Sequence, residues 1–150
     1  MLKTDKRSAI RLWSTLLVIG TVVLAGGLAG CSSEGPENLT RQVNQHIEQD
    51  QYTEALDLLE QASNQSKADS LQEKVHLNYG LYLEYRGGDK EMRARMTGAL
   101  EQFINVLEIN PANQKALNEI KQIMGVYSTM PDKQPPEPIL KELERLGIAY

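Results

Sequence analysis

Few residues in this 150-residue chain can do chemistry. It carries one cysteine, Cys31, and two histidines, His46 and His76. A lone thiol excludes an intrachain disulfide framework, and one cysteine with two separated histidines falls short of the ligand set of a zinc site. Neither histidine has a serine or cysteine nucleophile arranged beside it. No G-x-x-x-x-G-K-[ST] or G-x-G-x-x-G phosphate loop occurs, and Gly87-Gly88-Asp89 is no more than a turn that any anion could meet. Neighbouring carboxylates such as Glu142 and Glu144 fit a solvated helix face. The expectation is therefore no enzyme, no metal and no cofactor, with His46 in a groove and His76 packed beside a helical core. The one distinctive reactive group is the Cys31 thiol, and its surroundings decide its use.

Those surroundings are an export signal. Lys3, Lys6, Arg7 and Arg11 charge the N-terminus, offset only by Asp5, and residues 12–30 then run without a charge. A basic region, an apolar stretch and small residues before a cut site define a cleavable secretory segment. The stretch ends in Leu28-Ala29-Gly30-Cys31, which resembles the bacterial lipobox. That resemblance implies a diacylglycerol on the Cys31 thiol, cleavage just before it and acylation of the new amine. Several acyl chains hold a protein firmly where one does not. The rival is a permanent membrane span, for which about 20 apolar residues suffice; Gly20, Gly26, Gly27 and Gly30 suit a cleavable segment better. Both readings put the remainder outside the cytoplasm. Ser32, rather than Asp, follows the cysteine, and by resemblance to Gram-negative lipoproteins this permits export to the outer membrane, facing the periplasm.

Removing residues 1–30 leaves 120 residues with 12 basic and 19 acidic side chains, a net charge of −7. Such a domain is unsuited to nucleic acid and to lying flat on anionic lipid. Residues 31–37, small and polar, read as a lipidated tether.

Helices should follow. Leu39, Val43 and Ile47 recur every four residues, and Tyr52, Ala55, Leu56, Leu59 and Ala62 keep one helical face. Ser63-Asn64-Gln65-Ser66 reads as a break. The third helix, from Leu71 to Tyr85, is apolar on more than one face and should be central, ending at Gly87-Gly88. A fourth, with Ala99, Leu100, Phe103, Val106 and Leu107 buried, stops at Asn110-Pro111. Leu117, Ile120, Met124 and Tyr127 mark a fifth. No segment alternates with period two, so the fold class is all-α.

Aligning Ala55 with Ala99 matches Leu59 to Phe103 and Ala62 to Val106, and Pro111 follows Ala99 by twelve residues. This resembles the tetratricopeptide repeat, whose second helix carries A-x3-F and then a closing proline. The resemblance implies antiparallel helix pairs stacked as a short right-handed solenoid over 38–127. Gly80 and Val43 take its small-residue position, Val43 being a departure, and Lys121 replaces it in the third unit. Gly80 lies 19 residues before Ala99 where the family pattern needs twelve, which implies seven inserted residues around Gly87 to Arg95. Residues 128–138 form a proline-rich linker, and 139–150 a capping helix and tail with Ile139, Leu140, Leu143 and Leu146 on one face, ended by Gly147.

Helical repeats leave a concave face lined by the first helix of each pair. On this register the groove holds Thr40, Asn44, Lys74, Asn78, Leu81 and Lys115. Some family members grip a peptide carboxylate there; Asn44, Asn78 and Lys115 match that clamp, while Thr40 and Glu119 stand where cations are needed, which favours a general peptide groove. A second candidate surface is the basic insertion, Arg86, Lys90, Arg93 and Arg95, able to steer an acidic partner or simply to solvate a lengthened helix. The expectation is a lipid-anchored cell-envelope adaptor binding another protein or peptide, with a small-molecule or glycan binder using Tyr79, Tyr82 and Tyr85 as the alternative.

Overall fold

The computed structural model describes residues 36–62, 65–87, 91–130 and 133–149. The leader, Cys31, the first residues of the tether and Lys90 lie outside them. The chain divides into Met1–Ser32 and a compact unit, Ser33–Tyr150. The second unit is all-α: α1 (Pro36–Glu48), α2 (Tyr52–Glu60), α3 (Gln65–Tyr85), α4 (Met92–Ile109), α5 (Gln114–Ser128) and α6 (Glu137–Arg145). No strand occurs among the described residues.

Helix α1 packs on α2 and α3, α2 on α3, α3 chiefly on α4, and both α5 and α6 on α4. Two apolar clusters result. Val43, Tyr52, Ala55, Leu59, Leu71 and Val75 form one; Leu100, Phe103, Leu107, Ile120, Ile123 and Leu143 are at the centre of the other. Helix α3 serves both. Leu71, Val75, Tyr79 and Tyr82 point to the first cluster and Leu77, Leu81 and Leu83 to the second. A helix with apolar contacts on two sides cannot be amphipathic, which is why its sequence is apolar around more than one face.

The α3–α4 crossing is tight. Phe103 is fully buried, and a Cβ on Gly80 would lie 2.6 Å from its ring. Only a residue without a side chain lets the ring sit there. Ala99 is also fully buried.

The connections are specified by polar groups. Asn113 caps α5 by accepting from the Ala116 amide at 3.0 Å. Both Asn110 and Asn113 donate to Glu73 Oε1 on α3, at 2.8 and 2.7 Å, so one carboxylate fixes the Asn110-Pro111-Ala112-Asn113 turn. Gly147 adopts φ +69° after α6, and the Ile148 and Gly147 amides return to Leu143 and Glu144 carbonyls. This is a Schellman ending, with Ile148 and Leu143 buried in the same cluster. Between α1 and α2, Asp50 takes φ +57° and accepts from Tyr52 at 3.0 Å. Burial, then the Asp50 bond, pushes the Tyr52 hydroxyl up to about 12.

Two boundaries differ from the sequence reading. Helix α3 starts at Gln65, within the expected break, because Ala68 and Leu71 bury and extend the apolar stripe backwards. Helix α1 starts at Pro36, inside the expected tether; proline's fixed φ suits a first helical turn.

Candidate functional site

The candidate groove residues fall on one stripe of α3 and its two flanks. Lys74, Asn78, Leu81 and Tyr85 are spaced by four, three and four, so they share a helix face. At the start of the stripe Lys74 Nζ donates to Asn44 Oδ1 on α1 at 2.7 Å. One turn on, Asn78 Nδ2 donates to the Lys74 carbonyl at 2.8 Å. Thr40 and Asn44 also line a shallow cleft along α1 with Glu37, Arg41 and Glu48. Leu81 is half-buried and packs on the second apolar cluster, so it contributes shape to this face more than contact area.

At the end of the stripe α3 meets α5. Tyr85, 57% exposed, donates to Glu119 Oε2 at 2.8 Å. Gln122 Nε2 donates to Tyr85 Oη at 2.8 Å and to Glu84 Oε1 at 2.9 Å. Lys115 pairs with Glu119 one turn away. Two carboxyls are thus buried side by side, Glu84 at 7% and Glu119 at 4% exposure. Burial and the Glu119 charge push the Glu84 carboxyl up to about 7. Burial also opposes the Glu119 charge, but hydrogen bonds from Lys115, Tyr85 and Glu84 outweigh it and hold Glu119 below the usual range. The Glu119 bond in turn raises the Tyr85 hydroxyl and Lys115. Glu84 Oε2 has no hydrogen-bond partner; a proton on Glu84 makes it a donor to Glu119. Split carboxyl pairs serve acid–base enzymes. Here the flanking bonds join α3 to α5.

Arg86, Arg93 and Arg95 of the basic run do not form one patch. Arg86 reaches back to Asp50 at 3.0 Å and lies 5.6 Å from the Tyr82 ring centroid. Arg95 donates to the Leu83 and Glu84 carbonyls at 3.2 Å each, capping the C-terminal end of α3. Arg93 donates to the Gln134 carbonyl at 3.3 Å. These three arginines point in three directions because Arg86 follows the end of α3 while Arg93 and Arg95 lie in the first turn of α4, helices of 21 and 18 residues. Lys90 lies outside the described residues.

Both histidines are tied to glutamines, His46 Nδ1 to Gln51 at 2.9 Å and His76 Nδ1 to Gln102 at 2.8 Å. Among the described residues no group of three His, Cys, Asp or Glu could hold a metal, and no helix is long and apolar enough to cross a membrane. Tyr79 stacks on buried Tyr52 at 5.0 Å and Tyr82 lies 5.4 Å from it, so both belong to the first apolar cluster; Tyr85 alone is exposed.

Glu84, Glu119 and Glu73 were not singled out by spacing as paired or buttressing groups. A signal existed for the first two: Glu84 continues the Leu77–Leu81 stripe, and Glu119 lies between buried Ala116 and Ile120. An acid at a core register position announces a partner. No protein-family model, curated protein or solved structure matches this chain.

Proposed function

We propose that this protein is a lipid-anchored adaptor of the bacterial cell envelope. It would bind another envelope protein, or a peptide segment of one, on the face made by α1, α3 and α5. The observation that carries the reading is the continuity of that face. One α3 stripe is bonded to α1 through Lys74–Asn44 and to α5 through Tyr85–Glu119. It therefore presents ammonium, amide and phenol groups in a row on a rigid support.

Such groups suit a polypeptide backbone, which offers carbonyls and amides at regular intervals. The helix pairs and the tight Gly80–Phe103 crossing agree with stacked tetratricopeptide-like repeats, in which α6 closes the last apolar surface. The anchor is the acylated Cys31, and the outer membrane facing the periplasm is the location in keeping with Ser32. A glycan binder needs exposed aromatic faces; Tyr79 and Tyr82 are half-buried against Tyr52 and the first apolar cluster, so of the three candidate tyrosines Tyr85 alone is exposed. The polypeptide reading is the better supported for that reason.

Lys74→Ala, Asn78→Ala and Tyr85→Ala test it. Each should weaken capture of the partner by about 1–2 kcal/mol per lost hydrogen bond, read on protein whose circular dichroism matches the parent's. A partner held with unchanged affinity by the triple variant refutes this face.

A further inference from the structure

A second surface, away from that stripe, has a different chemistry. Between the start of α4, the end of α5 and the segment after it lies a cleft of about 130 Å³. Its apolar lining is Met92, Met96, Val126 and Met130, which uses three of the chain's five methionines. Met92 is 52% exposed, an uncommon state for a large apolar side chain. Methionine is unbranched and polarisable, so a methionine-lined wall adapts to varied apolar shapes.

The charge is equally distinctive. The only charged groups lining the cleft among the described residues are cations, Arg93 and Lys133. The domain as a whole is acidic, with 19 acidic against 12 basic side chains in residues 31–150. Two other shallow clefts among the described residues carry that excess: Glu37 and Glu48 against Arg41 in one, Glu101, Glu108 and Glu142 against Arg145 in the other. Arg93 is held at its rim by the Gln134 carbonyl at 3.3 Å, a bond that uses one of its five N–H donors. The Tyr127 hydroxyl in the wall is engaged with Thr97 and the Arg93 carbonyl. Among the described lining residues, the charged groups available for polar recognition are Arg93 and Lys133.

Size narrows the occupant. Sites for drug-sized molecules measure roughly 300–1,000 Å³. This cleft has space for one large side chain, the way an anchor residue seats in an interface. We infer that the cleft is a docking site for an acidic polypeptide segment that inserts one large apolar side chain between Met92, Met96 and Met130 and pairs its flanking carboxylates with Arg93 and Lys133. It does not depend on the α1–α3–α5 face, and either can fail alone.

The test uses the full chain in phospholipid nanodiscs, labelled with ¹³C at the methionine methyls. The probe is the capped peptide acetyl-Ser-Glu-Asp-Phe-Glu-Ser-amide. The methyl signals of Met92, Met96 and Met130 should shift saturably, while Met124, buried in the core, reports that the fold is unmoved. A peptide with Ser for Phe, and one with Gln for each acid, should each bind at least tenfold more weakly. The double variant Arg93→Gln, Lys133→Gln should weaken the probe at least fivefold with an unchanged Met124 signal. No shift at millimolar peptide overturns the inference. Equal binding of the acid-free peptide overturns it, as does a cleft filled only by decanoate, which would make it an amphiphile site. Shifts that depend on protein concentration without peptide would make it a self-association surface and overturn it too.

Discussion

Replacing Glu84 with Gln should stabilise the folded domain at alkaline pH and do little in mild acid. Burial, then the neighbouring Glu119 charge, moves the Glu84 carboxyl from 4.5 to about 7. Between those values the unfolded chain has released the proton and the native chain retains it. Stability therefore falls as pH rises through this window, and the loss is complete above about pH 7. The whole shift corresponds to about 3 kcal/mol. Exposed Tyr85 and Lys115 admit solvent to the edge of the pair, and that screening reduces the expected effect to about 1–2 kcal/mol. Glu119 has the opposite sign: its depressed carboxyl contributes stability present above its unfolded value and lost as pH falls through its folded one. Glutamine keeps an acceptor for Gln122 and supplies a neutral donor toward Glu119, so the variant should lack the alkaline loss. Urea unfolding of the Ser33–Tyr150 unit, followed by far-UV circular dichroism at about pH 5 and about pH 8, reads the difference. Titrating groups away from the Glu84–Glu119 pair cancel in the comparison of variant with parent. A variant whose stability changes with pH as the parent's does would refute the shared-proton account.

Gly80→Ala should destabilise the domain by about 1–3 kcal/mol despite alanine's better helix propensity, because the added carbon meets the immobile Phe103 ring. Phe103→Ala should cost about 3–5 kcal/mol, and a loss below about 1 kcal/mol would contradict its central position. In vivo, Cys31→Ala should leave an uncleaved precursor that takes up no labelled fatty acid; a variant that still matures and carries lipid would remove the anchor from the account.

Local rules carried far in this chain. Tyr52, Ala55 and Leu59 sit at helical spacing and all three are buried. Asn110-Pro111 and Gly147 end helices through chemistry that belongs to those residue types. The start of α3 was not legible, because Ser63-Asn64-Gln65-Ser66 has turn composition while burial of Ala68, a tertiary fact, prolongs the helix. Nor was the fate of the basic run. Arg86, Arg93 and Arg95 are close in sequence, yet helix geometry sends them to Asp50, Gln134 and the end of α3. The methionine cleft joins residues more than thirty positions apart, from α4 to beyond α5, which no single-helix period reports.

The central claim is that another protein sits on the α1–α3–α5 face. Site-specific photocrosslinking in intact cells tests it most directly, with p-benzoylphenylalanine placed at Tyr85 and, as a control, at exposed Lys141 on α6. The account predicts a discrete adduct from position 85 that disappears when Lys74→Ala and Asn78→Ala are added, and none from position 141. The same adduct from both positions, or none from position 85, would contradict it.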